Sequence, residues 1–145
     1  MGEAYGTVVA IMLSAYMMFI LPLNGMIYEN EKLEQMYISN EITYFVEQVR
    51  NTGCIDEDMY LTLEKNITAM NNRYNIMITH YKSIYNEDKS DVLYFREENY
   101  LWNIKDVLEE EGMYYLAKNE YIKVVVSDDD GMTACYGGSI KNESY

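Results

Sequence analysis

The feature that most constrains the fold of this chain is the uncharged segment from Ala4 to Tyr28. About 20 apolar residues in a helix span the ~30 Å hydrocarbon core of a bilayer, so the segment is long enough to cross a membrane. It has no Lys or Arg before it and no small-residue cleavage site behind it, which is unlike a signal peptide. We therefore expect it to be retained and to insert in the cytoplasmic membrane as a helix.

The predicted helix continues well beyond the apolar segment. Residues 29–49 contain neither Pro nor Gly, and a stripe of apolar residues recurs there at helical spacing, formed by Ile38, Ile42, Phe45 and Val49. Asn51, Thr52 and Gly53 supply a stop signal. We expect three regions: an apolar membrane or filament-core helix (residues 1–28), its amphipathic continuation (29–53) and a small acidic α+β outer domain (54–145).

The outer domain is predicted to be an antiparallel sheet with short helices. Helices are expected from Asp56 to Met70 and over residues 101–108, the second ended by Gly112 and anchored by a buried Trp102. Strands are expected over residues 74–80, over 92–95 and over 120–128. In the first of them Tyr74, Ile76, Ile78 and His80 alternate onto one side. A polar turn is predicted at 86–91, residues 113–117 are expected to pair with 120–128, and the tail from Gly131 onwards looks irregular.

Charge and motifs exclude several functions. The net charge of −13 and the lack of any basic run argue against a nucleic-acid partner, because phosphate binding needs clustered Lys and Arg. The single histidine, His80, has no Ser or Cys partner in a recognisable motif, and the chain contains neither GxSxG nor a P-loop. We predict that the protein is not an enzyme and has no cofactor.

The cysteines and one acidic turn leave alternatives open. Cys54 and Cys135 are predicted to form a disulfide if the domain lies outside the membrane, with two separately buried thiols as the alternative. Asp128, Asp129 and Asp130 precede a glycine and are a weak candidate for an oxygen-ligand cation site. Their adjacent spacing is not that of an EF-hand, and a solvated turn is the competing interpretation.

Two features at the ends of the apolar segment point to more than an anchor. Glu3 is costly in lipid unless it is paired, although it also suits a helix start in the headgroup region. Pro22 lacks a backbone donor and clashes with the preceding turn. With Asn24 and Gly25 close behind it, Pro22 predicts a kink or a melted segment over residues 18–25.

The order of these segments resembles a type IV pilin-like subunit. The leading "GEAY", the phrase "VRNTGCID" at the helix end and the C-terminal "EEEGMYYLAKNEYIKVVVSD" are similar to the TadE-like, pilin-like proteins of Gram-positive bacteria and their mobile elements. The resemblance implies a pilin-like fold, processing and assembly roles for Gly2 and Glu3, and a helix-breaking role for Pro22. The chain departs from the wider pilin family in one respect. That family has a glutamate at the fifth residue of the mature chain, whereas peptidase cleavage after Gly2 would make Thr7 the fifth residue.

The resulting hypothesis is a structural subunit of a type IV pilus-like extracellular filament, a helical homopolymer of identical subunits. It would reside in the membrane before assembly and would interact with a pilus assembly machinery. The alternative is a single-pass membrane accessory protein of a secretion or conjugation apparatus, whose outer domain binds a partner. Filament packing is expected to involve Val8, Val9, Ile11, Leu13, Met17, Phe19, Ile20 and Leu23, with Glu3 pairing to an amine or polar group of the next subunit.

Overall fold

The computed structural model describes residues 2–70, 73–84 and 94–142. It has the α+β class expected from the sequence, with one long helix, two shorter helices and small antiparallel sheets. The chain divides into two compact units, Met1–Gln35 and Met36–Tyr145. The turn predicted at residues 86–91 lies outside the described residues.

Helix α1 extends from Gly2 to Thr52. It ends as predicted: Gly53 adopts φ +73°, and its N–H donates to the Val49 carbonyl at 2.7 Å. This left-handed position favours glycine, which carries no Cβ to clash.

Of the two outcomes predicted at Pro22, a kink or a melted segment, the melted segment is wrong. Residues 18–25 are helical, and Pro22 lies inside α1. One proline removes one hydrogen bond, while the flanking Leu and Met residues favour a helix, so the helix continues on both sides.

The second unit combines two sheets. Strands β2 (Asn75–Ile84), β3 (Tyr94–Tyr100), β5 (Tyr121–Asp128) and β6 (Gly131–Ser139) form one sheet in the antiparallel order β3-β2-β5-β6. Strands β1 (Cys54–Asp56) and β4 (Met113–Tyr115) form a two-stranded sheet. Helices α2 (Glu57–Met70) and α3 (Leu101–Glu111) complete the unit.

Two strand predictions are wrong. Met113–Tyr115 pairs with β1 and not with β5, and the pairing is extended by the Leu116 N–H donating to the Gly53 carbonyl at 2.8 Å. The tail is not irregular but forms β6, because a turn with Gly131 at φ +135° returns it alongside β5.

One apolar core holds the second unit together. Along β5 buried and half-buried residues alternate, as expected for a strand with one face on a core. The fully buried side chains come from α1, α2, α3 and the sheets, and include Ile38, Ile42, Val46, Ile55, Ile67, Ile78, Ile104 and Ile122.

The expectation that Trp102 anchors α3 is wrong. Trp102 is exposed, whereas Ile104 and Leu108 are buried. Residues two apart in a helix point to nearly opposite sides, so burying Ile104 directs Trp102 to solvent.

Candidate functional site

The most exposed apolar surface lies on α1 within the first unit. From Gly2 to Tyr28 every residue is exposed except Ile20, which is partly exposed. The segment is long and apolar enough to cross a membrane. In soluble proteins apolar helix faces are buried against a core, whereas the apolar side chains of this segment are exposed in the described part of the chain.

The predicted assembly residues cover about two thirds of the circumference of this helix. Val8, Val9, Ile11, Leu13, Met17, Phe19 and Leu23 are between 45% and 69% exposed. Successive residues of a helix are rotated by about 100°, so no single face collects them. A helix that is apolar all round is suited to lipid or to the centre of a bundle.

A face of small residues is also present, and the sequence analysis missed it. Gly2, Gly6, Ala10 and Ser14 follow one another at steps of four, so they share one side of α1. A Cβ placed on Gly2 or Gly6 would meet nothing within 4 Å. Small residues at four-residue spacing allow two helix backbones to approach closely in a membrane, and this spacing was the signal that could have revealed the face.

The threonine and serine hydroxyls of this segment are satisfied by the helix itself. Thr7 Oγ1 donates to the Glu3 carbonyl at 2.9 Å, and Ser14 Oγ donates to the Ala10 carbonyl at 2.8 Å. Such local bonds remove the cost of placing a hydroxyl in apolar surroundings.

Glu3 is the one charged residue of the segment. It lies in the first turn of α1, and its carboxylate makes no hydrogen bond or ion pair with a described residue. The side chain is therefore available to a group outside the described chain.

A second notable group is a buried polar network in the outer unit. His80 is fully buried, and its Nδ1 lies 2.7 Å from the Tyr114 hydroxyl. Its Nε2 lies 2.7 Å from Glu120 Oε2, which also accepts the Ala117 N–H at 2.9 Å. In the neutral imidazole, Tyr114 O–H donates to Nδ1 and Nε2–H donates to the carboxylate.

This network joins elements that are distant in the sequence. It connects β2, through His80, to β4, through Tyr114, and to the residue preceding β5. The Tyr114 ring also meets the imidazole edge-on, with centroids 5.5 Å apart. These contacts of His80 include no Ser or Cys nucleophile. The network therefore has a structural role, because it links the two sheets by hydrogen bonds.

The remaining predicted sites do not come together. Cys54, on β1, and Cys135, on β6, are free thiols in the structure, so the predicted disulfide is not formed; the two strands belong to different sheets. Cys54 is half-buried and Cys135 is exposed, so the alternative of two buried thiols is wrong as well. Asp128 Oδ1 accepts the Asp130 N–H at 2.6 Å, which makes this segment a turn. No group of three His, Cys, Asp or Glu side chains placed to hold a metal occurs in the described part of the chain.

Comparisons with known proteins add no family. No family model matches the chain, and neither a curated protein nor a solved structure does.

Proposed function

We propose that this chain is a structural subunit of a type IV pilus-like extracellular filament, which polymerises through its apolar N-terminal helix. The observation that carries the proposal is the exposure of apolar side chains on all sides of α1 between Gly2 and Tyr28. Removing one large apolar side chain from water contributes about 1.5 to 3 kcal/mol. Packing against identical helices would remove many of them at once.

Two details favour helix–helix contacts over a simple lipid anchor. Lipid tails are as apolar as Leu, so helices associate in a membrane only through close packing and polar contacts. The small face of Gly2, Gly6, Ala10 and Ser14 supports close packing, and the available Glu3 carboxylate supports a polar contact with an amine of the next subunit. The alternative, a membrane-anchored accessory protein of a secretion or conjugation apparatus, needs neither feature.

Disulfide crosslinking distinguishes the two functions. In a Cys54→Ser, Cys135→Ser background, one cysteine is placed on the small face (Ala10→Cys) and one on the opposite face (Val8→Cys). Each cysteine forms one disulfide, so chains crosslinked through both faces form ladders longer than a dimer. A filament predicts such ladders in oxidised surface material, whereas a lipid-facing anchor predicts monomers.

The matched control carries both cysteines on the small face, at Ala10 and Ser14. Both cysteines then meet the same neighbouring subunit, and dimers should dominate.

Electron microscopy of shed surface material should show filaments, and Glu3→Ala should reduce incorporation into them without changing membrane insertion. Monomers alone in every crosslinking experiment, together with no filament, would refute the proposal.

A further inference from the structure

A groove separates α2 from the second half of α1, within the outer unit. It encloses about 380 Å³, a volume typical of binding clefts. Its floor is formed by Phe45, Met59 and Leu63, of which Phe45 and Leu63 belong to the core. Tyr44, which is 65% exposed, lines one side, and Thr62 lines the other.

A carboxylate lies at each end of this groove. Glu41 Oε2 accepts a hydrogen bond from Asn66 Nδ2 at 2.9 Å, which places Glu41 beside the C-terminal part of α2. Asp58 precedes Asn66 by eight residues on α2. At a rise of 1.5 Å per residue, the two residues are therefore about 12 Å apart along the helix axis. The two negative charges therefore flank the apolar floor.

Neither carboxylate is neutralised within the described chain. Glu41 has the Asn66 amide as its partner, and Asp58 makes no hydrogen bond or ion pair with a described residue. The exterior is acidic overall, with 24 Asp and Glu against 11 Lys and Arg. A partner that covers the groove must therefore supply positive charge.

We propose that this groove binds an amphipathic helix of another protein, with two Lys or Arg residues seven positions apart and apolar residues between them. Seven residues of helix span about 10.5 Å, which fits the separation of Glu41 and Asp58. Apolar residues at the third and fourth positions between the two cations then face Met59 and Tyr44. This is the helix-in-groove mode of recognition.

The described helices of a second copy of the chain do not meet this requirement. Among the described helices, α1 carries Lys32 and Arg50, α2 carries Lys65 and α3 carries Lys105. None of these helices presents two basic residues seven positions apart. The inference is thus separate from the filament proposal and does not depend on it.

The test uses a synthetic, helix-forming peptide of 15 residues as the probe. It carries Lys at two positions seven apart and Leu at the third and fourth positions between them, with a fluorophore at one end. Fluorescence anisotropy is measured with the full chain in nonionic detergent, against detergent alone. The control peptide has the same composition with its two Lys residues adjacent.

We expect the spaced peptide to bind and the control peptide to bind at least fivefold more weakly. Glu41→Gln and Asp58→Asn should each weaken binding about two- to fivefold, since exposed ion pairs contribute little individually. Asp129→Asn, which removes an exposed carboxylate elsewhere, should change nothing. Thr62→Arg, which fills the groove from an exposed position, should abolish binding.

Three results would overturn the proposal. One is no binding of the spaced peptide at millimolar concentration. Another is equal binding of both peptides, which would show attraction by net charge alone. The third is an equal loss in Asp129→Asn and Asp58→Asn.

Discussion

Replacing Tyr114 by Phe tests whether the buried network holds the two sheets together. The change removes one hydroxyl from a side chain that is only 8% exposed and 2.7 Å from His80 Nδ1. Loss of one partner from a buried polar pair costs about 1 to 3 kcal/mol. Because 1 kcal/mol shifts Tm by roughly 4 to 8 °C in a domain near this size, Tm should fall by at least about 4 °C.

The strand offers its own control. Tyr115 is the next residue of β4 and is 56% exposed, so Tyr115→Phe removes the same atom from the solvent-facing side. We expect that change to stay within about 0.5 kcal/mol. Thermal unfolding and urea unfolding of the full chain in detergent, both followed by near-ultraviolet circular dichroism, give the Tm and the free energy of unfolding of each variant. Equal free energies of unfolding for the two variants would refute the structural role assigned to the network.

Three further predictions concern the outer unit. Ile42→Ala, at a fully buried position, should lower the free energy of unfolding by about 2 to 5 kcal/mol; a loss below 1 kcal/mol in urea unfolding would contradict the core described above. The Tyr136 hydroxyl, by hydrogen bonding, lowers the pKa of Glu47 below 4.5, with help from Arg50. The ionised Glu47 therefore stabilises the fold above pH 4.5, and this contribution is lost as the pH falls through the lowered pKa. Tyr136→Phe should weaken that acid dependence, and unchanged unfolding curves between pH 3 and 6 would argue against it. Gly137→Ala should destabilise the fold by about 1 to 3 kcal/mol, because its Cβ would lie 2.8 Å from the Ile122 carbonyl oxygen; an unaltered Tm in a thermal melt would disprove that close contact.

Local periodicity was sufficient to predict the elements that follow a single rule. The buried stripe of α1 at Ile38, Ile42, Phe45 and Val49 and the stop at Gly53 are confirmed. The alternation that placed Ile76, Ile78 and His80 on the buried side of β2 is also confirmed. Helical and strand periods are properties of neighbouring residues, so no knowledge of distant contacts was required.

Long-range pairing could not be predicted in the same way. Met113–Tyr115 lies close to β5 in sequence, which favoured a hairpin, yet it pairs with Cys54–Asp56. Glu120, between these segments, turns its carboxylate to His80 and to the Ala117 N–H, which needs a turn and not a continuous hairpin. No local pattern encodes a partner so distant in sequence.

The glycines of β6 show the same limit. Gly137 and Gly138 look like loop residues, but they lie in a strand where Tyr121 and Arg50 approach closely. At Gly137 a Cβ would lie 2.8 Å from the Ile122 carbonyl oxygen, which favours glycine in that part of the strand. The small face of α1, by contrast, is encoded locally, by Gly and other small residues at four-residue spacing, and could have been predicted from the sequence.

The contacts at the end of α1 have a consequence for the order of synthesis. Arg50 Nε donates to the Ser139 carbonyl at 2.8 Å, and the Arg50 carbonyl accepts the Lys141 N–H at 2.9 Å. These bonds join residues about ninety positions apart, so the outer unit cannot close until the ribosome has passed residue 141. At about 5 to 20 residues per second, the apolar segment emerges several seconds earlier. The filament proposal therefore requires this segment to reach its apolar surroundings while the rest of its own chain is still unfolded.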